Sequence, residues 1–334
     1  MRHTPKLAAV AIAILASVAC KSVVTGNEGN FRFSYLADEA FLDFNKAIAV
    51  GAKLDVNVTQ VGDDQPVGLT DAAAEDPAVF GTEITGANIV TITGLAEGNT
   101  ELQVKGTNTS GEEQTDSVNL RVLVPDIHRM RHSCQNFNGV EATDYAYLTG
   151  QSVYVPFDFE ANANSGTEPV IGYGYYPIQI DGPATLDASF QGSQYMRIDM
   201  GAPGSVTFTS DIDASTLDLT IVDEADIDGV LQPIAFVLED IDVGDVNPFY
   251  VLPSAAGMPI CQADVTLAVA STTPDICDVR LANSLAGNGS DQGKEFGWFE
   301  IEGVAAGMCE YTVTYPTGAD GAGATQAFTY EIQP

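Results

Sequence analysis

The residues with the widest chemical repertoire gather once. His128, His132 and Cys134 stand within a single stretch, IHRMRHSC. Imidazole and thiolate at this spacing could hold a transition metal; the favoured reading is a linker in which Cys134 is oxidised. His3 is the one remaining histidine. A Ser-His-Asp or Cys-His device would therefore need His128 or His132. No Gly-x-Ser-x-Gly occurs. The stretch Gly289 to Lys294 fails the spacing of a phosphate loop and lacks a hydroxyl after the lysine. No catalytic residue is assigned, and the chain is expected not to be an enzyme.

Carboxylates offer a second chemistry. Asp223, Glu224, Asp226 and Asp228 lie close together, and Glu224-x-Asp226-x-Asp228-Gly229 imitates the opening of a calcium loop. Position twelve would be Ala235, which cannot ligate, so this is not an EF-hand. Glu239, Asp240, Asp242 and Asp245 extend the acidic region. Ca2+ is the only cofactor this pattern suggests, and solvated acidic loops are the default reading. Aromatic rings offer a third. Tyr173, Tyr175 and Tyr176, with Phe296, Trp298 and Phe299, could stack on sugars or anchor a protein. The alternation of Phe296 and Trp298 fits the face of a strand and favours core. The ligand stays unknown.

The charge balance removes whole classes of partner. The 334 residues carry 13 Lys+Arg against 46 Asp+Glu, a formal net charge of -33. Such a field repels phosphate backbones and anionic lipid headgroups, so nucleic acid is excluded as a partner. Arg129 and Arg131, with Arg121 nearby, form the one basic cluster. They are expected to pair with carboxylates of an adjacent domain.

The elements that must position these residues repeat. Pro77 to Gly98 spans 21 positions, as does Pro183 to Gly204, an offset of 106 at both ends. A third copy starts at Pro274 and resumes at Lys294. Pro274 to Gly307 spans 33 positions, with the polar stretch ANSLAGNGSDQG inserted. Alternating runs precede each copy, at Leu54-Val56-Val58, Val153-Val155-Phe157 and Val265-Leu267-Val269. Others follow, at Val118-Leu120-Val122, Leu217-Leu219-Ile221 and Phe328-Tyr330-Ile332. Period-two alternation predicts half-buried strands, and their spacing predicts antiparallel sandwiches. Helical period occurs once, at Ala37, Ala40, Phe41 and Phe44, a stretch that could equally be a distorted first strand.

Gly94 to Val104, G-L-A-E-G-x-T-x-L-x-V, resembles the bacterial immunoglobulin-like domain of group 2, found in invasin- and intimin-type surface proteins. Asp76 to Val79 and Gly98 to Val104 carry the likeness in the first copy, Ala306 to Val313 in the third, and Ala202 to Phe208 less fully in the second. It implies an all-β fold of three tandem immunoglobulin-like sandwiches, at 31–125, 126–229 (divergent) and 230–334. The shared glycine is expected to supply a positive φ at a turn. An adhesive or structural role at a cell surface follows from the likeness. A carbohydrate-binding protein of an uptake or degradation system and a subunit of a larger envelope assembly are the alternatives, so the partner is an unknown protein or glycan.

The N-terminus reads as an address. Arg2 and Lys6 precede the apolar run Leu7 to Ala16, and Ser17-Val18-Ala19 lead to Cys20. This resembles a bacterial lipoprotein signal, which implies cleavage after residue 19, lipid on Cys20 and a tether over 20–30. Lys21 at the next position implies the outer membrane. The partner there is the membrane, reached through acyl chains that contribute about 0.8 kcal/mol per buried CH2. Loss of Arg2 and Lys6 leaves a charge of -35. Four cysteines remain, an even number expected to form two disulfides. Aligning the copies places Cys277 at the position of Phe80 and Cys309 at that of Thr100, which favours Cys277–Cys309 and leaves Cys134–Cys261. Cys261–Cys309, or a free Cys134, remain open.

Overall fold

The computed structural model describes residues 23–36, 44–134, 142, 144–163, 166–231, 241–263, 265, 267–281, 298–315 and 323–334. The signal, Cys20, the short periodic stretch 37–43, Glu239, Asp240, the insertion after Leu281 and Phe296 lie outside them. The chain is all-β, built of immunoglobulin-like antiparallel sandwiches, and no α-helix occurs among the described residues. It falls into two compact units, 1–124 with 169–172, and the remainder.

The first unit is one sandwich. One sheet runs Val24–Thr25, Phe31–Tyr35, Lys53–Gln60, Ile89–Gly94, Phe80–Gly86; the other includes Ala47–Ala49, Glu113–Leu123, Gly98–Thr107 and Gly68–Ala74. The inward phases of both meet in one core. Phe31, Phe33, Leu54, Val56, Ile92 and Phe80 come from one side, and Leu102, Val104, Leu120 and Val122 from the other. Val170 and Ile171 pair in parallel with Ala47 and Ile48, and Ile171 joins that core. Residues 169–172 thus complete a sandwich that began far upstream.

The second unit repeats the scheme twice. In one sandwich the sheet Ala146–Leu148, Thr216–Val222, Gly204–Ser210, Ile178–Asp181 faces the strands Ala184–Leu186, Tyr195–Met200, Ser152–Ala163 and Ile127–Met130. In the other, the sheet Ile241–Asp242, Ala324–Gln333, Gly307–Tyr315, Ala268–Ser271 faces Val246–Tyr250, Trp298–Gly303 and Cys277–Leu281. Each sandwich contains an early short strand running parallel to its own last strand: Ile48 beside Val122, Leu148 beside Val222, Ile241 beside Ile332. The chain then turns at Gly51, Gly150 or Gly244, with φ of 90°, 73° and 96°. The N–H of each donates to the carbonyl of Gly94, Met200 or Gly303. A side chain would strain all three turns.

The repeat found by spacing corresponds to a strand pair in one sheet followed by a strand that starts at Gly98, Gly204 or Gly307 in the other. Two expectations change. Positive φ holds at Gly204 and Gly307 and not at Gly98. There the reason is space, because a Cβ would sit 2.8 Å from Val79 Cγ2. The run Val265-Leu267-Val269 is not the third counterpart of Leu54-Val56-Val58. Ala268–Ser271 pairs with Gly307–Tyr315, and the strand paired with Trp298–Gly303 is Val246–Tyr250. Pro248 interrupts that strand, which sits at a sheet edge where a missing N–H is tolerated.

Candidate functional site

Both disulfides form as the alignment favoured, Cys277–Cys309 and Cys134–Cys261, and Cys261–Cys309 does not occur. The first staples the two sheets of the last sandwich across 32 residues, with Cα atoms 5.5 Å apart. The second closes 127 residues at 5.4 Å and ties the two sandwiches of the second unit together. Four buried half-cystines in an all-β chain mark a protein that folds in an oxidising compartment.

The neighbours of Cys261 make that joint stiff. Its N–H donates to the Ala146 carbonyl at 2.8 Å, and Ile260 bridges Ala146 in parallel. Gln262 adopts φ 50°, and its side-chain amide imitates a strand. Its Oε1 accepts from the Tyr154 N–H at 2.9 Å, and its Nε2 donates to the Tyr154 carbonyl at 2.7 Å. Ala146, Leu148, Val222, Ile227 and Val230 share one apolar core with Ile260, Phe299 and Tyr311. Apolar burial therefore runs unbroken through the joint, where a flexible linker would leave two closed cores.

With Cys134 oxidised, the His128, His132, Cys134 set cannot bind metal. The two imidazoles are core residues, 2% and 7% exposed. His128 packs edge-on to Phe157 and against Phe159, with Nδ1 3.2 Å from Ser210 Oγ. His132 stacks on Tyr145 at 4.3 Å. Nε2 of His128 and Nδ1 of His132 have no hydrogen-bond partner among the described residues. Burial pushes both rings down to about 4, against the opposing pull of Asp213 and Asp218 respectively. Arg129 and Arg131 serve their own strands and not an adjacent domain. Arg129 pairs with Glu160 at 3.1 Å, Arg131 with Asp158 at 2.7 Å, and Arg121 donates to the Asn45 carbonyl.

Among the described residues no three His, Cys, Asp or Glu side chains gather to hold a metal ion. Glu224–Asp226 forms a single 3-10 turn. Asp226 Oδ2 accepts from the Asp223 N–H at 3.0 Å, and Asp228 Oδ2 accepts from the Ala256 N–H at 3.0 Å. Two of the four carboxylates are thus engaged with backbone. Tyr175 and Tyr176 also turn away from the proposed aromatic strip. Their rings lie against Phe159 and Phe157. Tyr176 Oη donates toward the Phe190 carbonyl at 2.9 Å and accepts the Gly192 N–H at 2.9 Å, which holds the loop 187–192. Phe299 is core.

Two features escaped the sequence reading. Asp116, 2% exposed, accepts the N–H groups of Glu28, Asn30, Phe31 and Ser117 at 2.7–2.9 Å. Burial raises its pKa, and these donors with the Glu28 carboxyl outweigh that and hold it below the usual range; Glu28 is raised in turn, first by its bond to Asp116. The expected tether over 20–30 is thus folded from Val24 onward, because its backbone donors converge on one buried anion. The signal was available: Asp116 shares the inward phase of Val118, Leu120 and Val122. The second feature is the outward face around Tyr154. On Ser152–Ala163 and Tyr195–Met200 the inward residues are Val153, Val155, Met196 and Ile198, which leaves Tyr154, Tyr195 and Arg197 facing out. Phe190 lies beside Tyr154, tilted, at 5.4 Å between ring centres, and Asp187 pairs with Arg197.

No family model matches the chain, and no curated protein does. Solved structures do. Domains 4–9 of the surface layer protein SbsC align with 90% of the chain at 12% identity and a TM-score of 0.26, and the chain spans 47% of that structure. Invasin, a bacterial integrin-binding protein, aligns with 94% of the chain at 12% identity and 0.24, with 60% of its own length covered. The Bacteroides ovatus mixed-linkage glucan utilization protein SGBP-B aligns with 90% at 9% identity and 0.25, with 70% covered. At such scores none of these likenesses bears on function, and the sandwich architecture rests on the strand pairing described above.

Proposed function

We propose that this is an exported, non-enzymatic surface protein of the outer membrane, lipid-anchored through Cys20, whose three immunoglobulin-like sandwiches form a structural or adhesive module. The limits 31–125, 126–229 and 230–334 follow from the same reading. One observation carries it. The joint within the second unit is fixed three ways at once, by Cys134–Cys261, by the Gln262 amide on Tyr154 and by a shared core. A spacer or adhesin must hold its modules at a set angle, and this joint supplies one.

The test measures that angle. Pulsed electron spin resonance between labels on strands Thr216–Val222 and Ala324–Gln333 of the mature protein should give one narrow distance distribution. Cys134→Ala with Cys261→Ala should broaden it. A broad distribution before substitution sinks the reading. Detergent-phase partition of the expressed chain, lost in Cys20→Ala, checks the anchor. A glycan-binding role in an uptake or degradation system is the second reading, favoured by the outward rings of Tyr154 and Tyr195.

A further inference from the structure

The geometry points to a glycan-binding face on the sandwich that contains Tyr154, formed by Tyr154, Tyr195 and Phe190 with Arg197, Asp199 and Asp187 at its margin. The inference rests on the second reading above and names its site. It differs from the aromatic strips visible in sequence, where Tyr175 and Tyr176 lie against Phe159 and Phe157.

Three observations support a ligand surface here. First, strand register brings the rings together. Tyr154 lies opposite Arg197 and Pro156 opposite Tyr195, so the two tyrosines are diagonal neighbours on one outward face. Diagonal neighbours stand about 7–8 Å apart, within reach of one sugar unit and the next. Phe190 adds a third ring beside Tyr154. All three rings are half-buried. Second, the loop that carries Phe190 is held in place before any ligand arrives. Asp187 Oδ1 accepts the Ser189 N–H at 2.9 Å and the Ser189 hydroxyl at 2.6 Å, and Tyr176 grips the far side of the loop. Binding to such a face costs little ordering entropy. Third, Tyr154, Tyr195 and Arg197 stay partly exposed while Val153, Val155, Met196 and Ile198 between them are buried, so the face presents its polar and aromatic groups to solvent.

Ring faces stack on the C–H face of a pyranose, while phenol, carboxylate and guanidinium groups at the rim exchange hydrogen bonds with its hydroxyls. Charge narrows the class further. The chain's net charge of -33 repels an anionic polymer, and Asp187 and Asp199 stand at the face itself. The ligand is therefore a neutral polysaccharide.

Affinity electrophoresis of the mature protein tests this, in native gels containing a soluble β-1,3-glucan, a β-1,4-xylan, a mannan or, as anionic control, alginate. At least one neutral polymer should retard the protein. Tyr154→Ala and Tyr195→Ala should each weaken that retardation at least tenfold, and Tyr195→Phe should retain most of it. Circular dichroism and melting temperature confirm that the variants fold. If no polymer retards the protein, the glycan reading itself falls; if alginate alone does, glycan binding survives and the inference of a neutral ligand at this face is overturned. If a neutral polymer retards wild type and both alanine variants equally, glycan binding survives and this face is not the site.

Discussion

In the first sandwich the Val79 carbonyl accepts from the N–H groups of both Leu95 and Ala96; in the last, the Ile276 carbonyl accepts from Val304 and Ala305. Gly94 and Gly303 stand at matching positions in those turns. The sandwich between them keeps the strand order and abandons this corner. Met200 replaces the glycine, and Gly201 donates instead to the Pro183 carbonyl at 2.7 Å. The same sandwich holds both buried histidines, one end of the stiff joint and the outward aromatic face. Two copies kept the geometry that makes a sandwich close. The third kept enough of it to fold and took on the chain's unusual chemistry.

The largest effect expected from breaking that contrast is at the joint. A loop of 127 residues closed by Cys134–Cys261 contributes about 5 kcal/mol in the chain-entropy model, against about 4 for the 32 residues of Cys277–Cys309. Urea melts of Cys134→Ala with Cys261→Ala should show the second unit unfolding in two steps, with the first unit unchanged. A single step at the wild-type midpoint would mean that Gln262 and the shared core hold the joint without the bond.

Acid separates the units next. Both imidazoles have folded values near 4 against 6.5 unfolded. The unfolded chain takes up protons first, so stability falls as pH drops from about 6.5 to about 4 and levels off below. At pH 5 each ring costs about 2 kcal/mol, roughly 4 for the pair. The first unit behaves differently. Asp116 is held below its ordinary 3.8, so its contribution is present above that value and is lost only as pH falls through the lower folded one. Hydrogen exchange at pH 7 and pH 5, corrected for intrinsic rates, should show protection lost in strands 152–163 and 204–210 and kept in 98–107. His128→Gln with His132→Gln should flatten the response. Equal loss in both units would refute the assignment.

A smaller effect tests the corner itself. A Cβ on Gly94 would lie 2.6 Å from the Ala49 carbonyl oxygen, and one on Gly303 2.6 Å from that of Asp242. Gly94→Ala and Gly303→Ala should each destabilise their own sandwich by about 1–3 kcal/mol, as overpacking does. Met200→Leu, at the equivalent position of the divergent copy, should cost under about 1.5 kcal/mol. A neutral Gly94→Ala in calorimetry would show that the corner can give.

The sandwiches were legible because apolar alternation and turn spacing are local signals, and Leu54-Val56-Val58 or Leu217-Leu219-Ile221 declare their strands without context. The half-cystine pairing followed from alignment, which converts spacing into strand position. What stayed hidden depends on distant partners. Pro248 broke the alternation of a true strand, so a neighbouring run was read in its place. The glycines at 51, 150 and 244 repeat as plainly as those at 98, 204 and 307, yet their role appears only when the parallel pair beside them is seen. Tyr154 reads as one ring in a strand until Tyr195 and Phe190 arrive beside it, some forty positions on.

The smallest effect concerns calcium. The spacing of Asp223, Glu224, Asp226 and Asp228 suits an oxygen cage, and their positions in the fold do not. A cage needs six to eight oxygens converging within about 2.6 Å of one point. Here Asp226 folds back onto the N–H of Asp223, while Asp228 reaches across to the N–H of Ala256. Each carboxylate bound this way would surrender a hydrogen bond to gain a ligand bond, and two of the four would have to do so together. Calcium at millimolar concentration should therefore move the melting temperature by less than about 1 °C relative to chelator, an increment consistent with screening of surface charge alone. A rise of several degrees, abolished by Asp226→Asn, would show that the turn at 224–226 rearranges around the ion and that the acidic region belongs with the joint as a functional feature of the divergent sandwich.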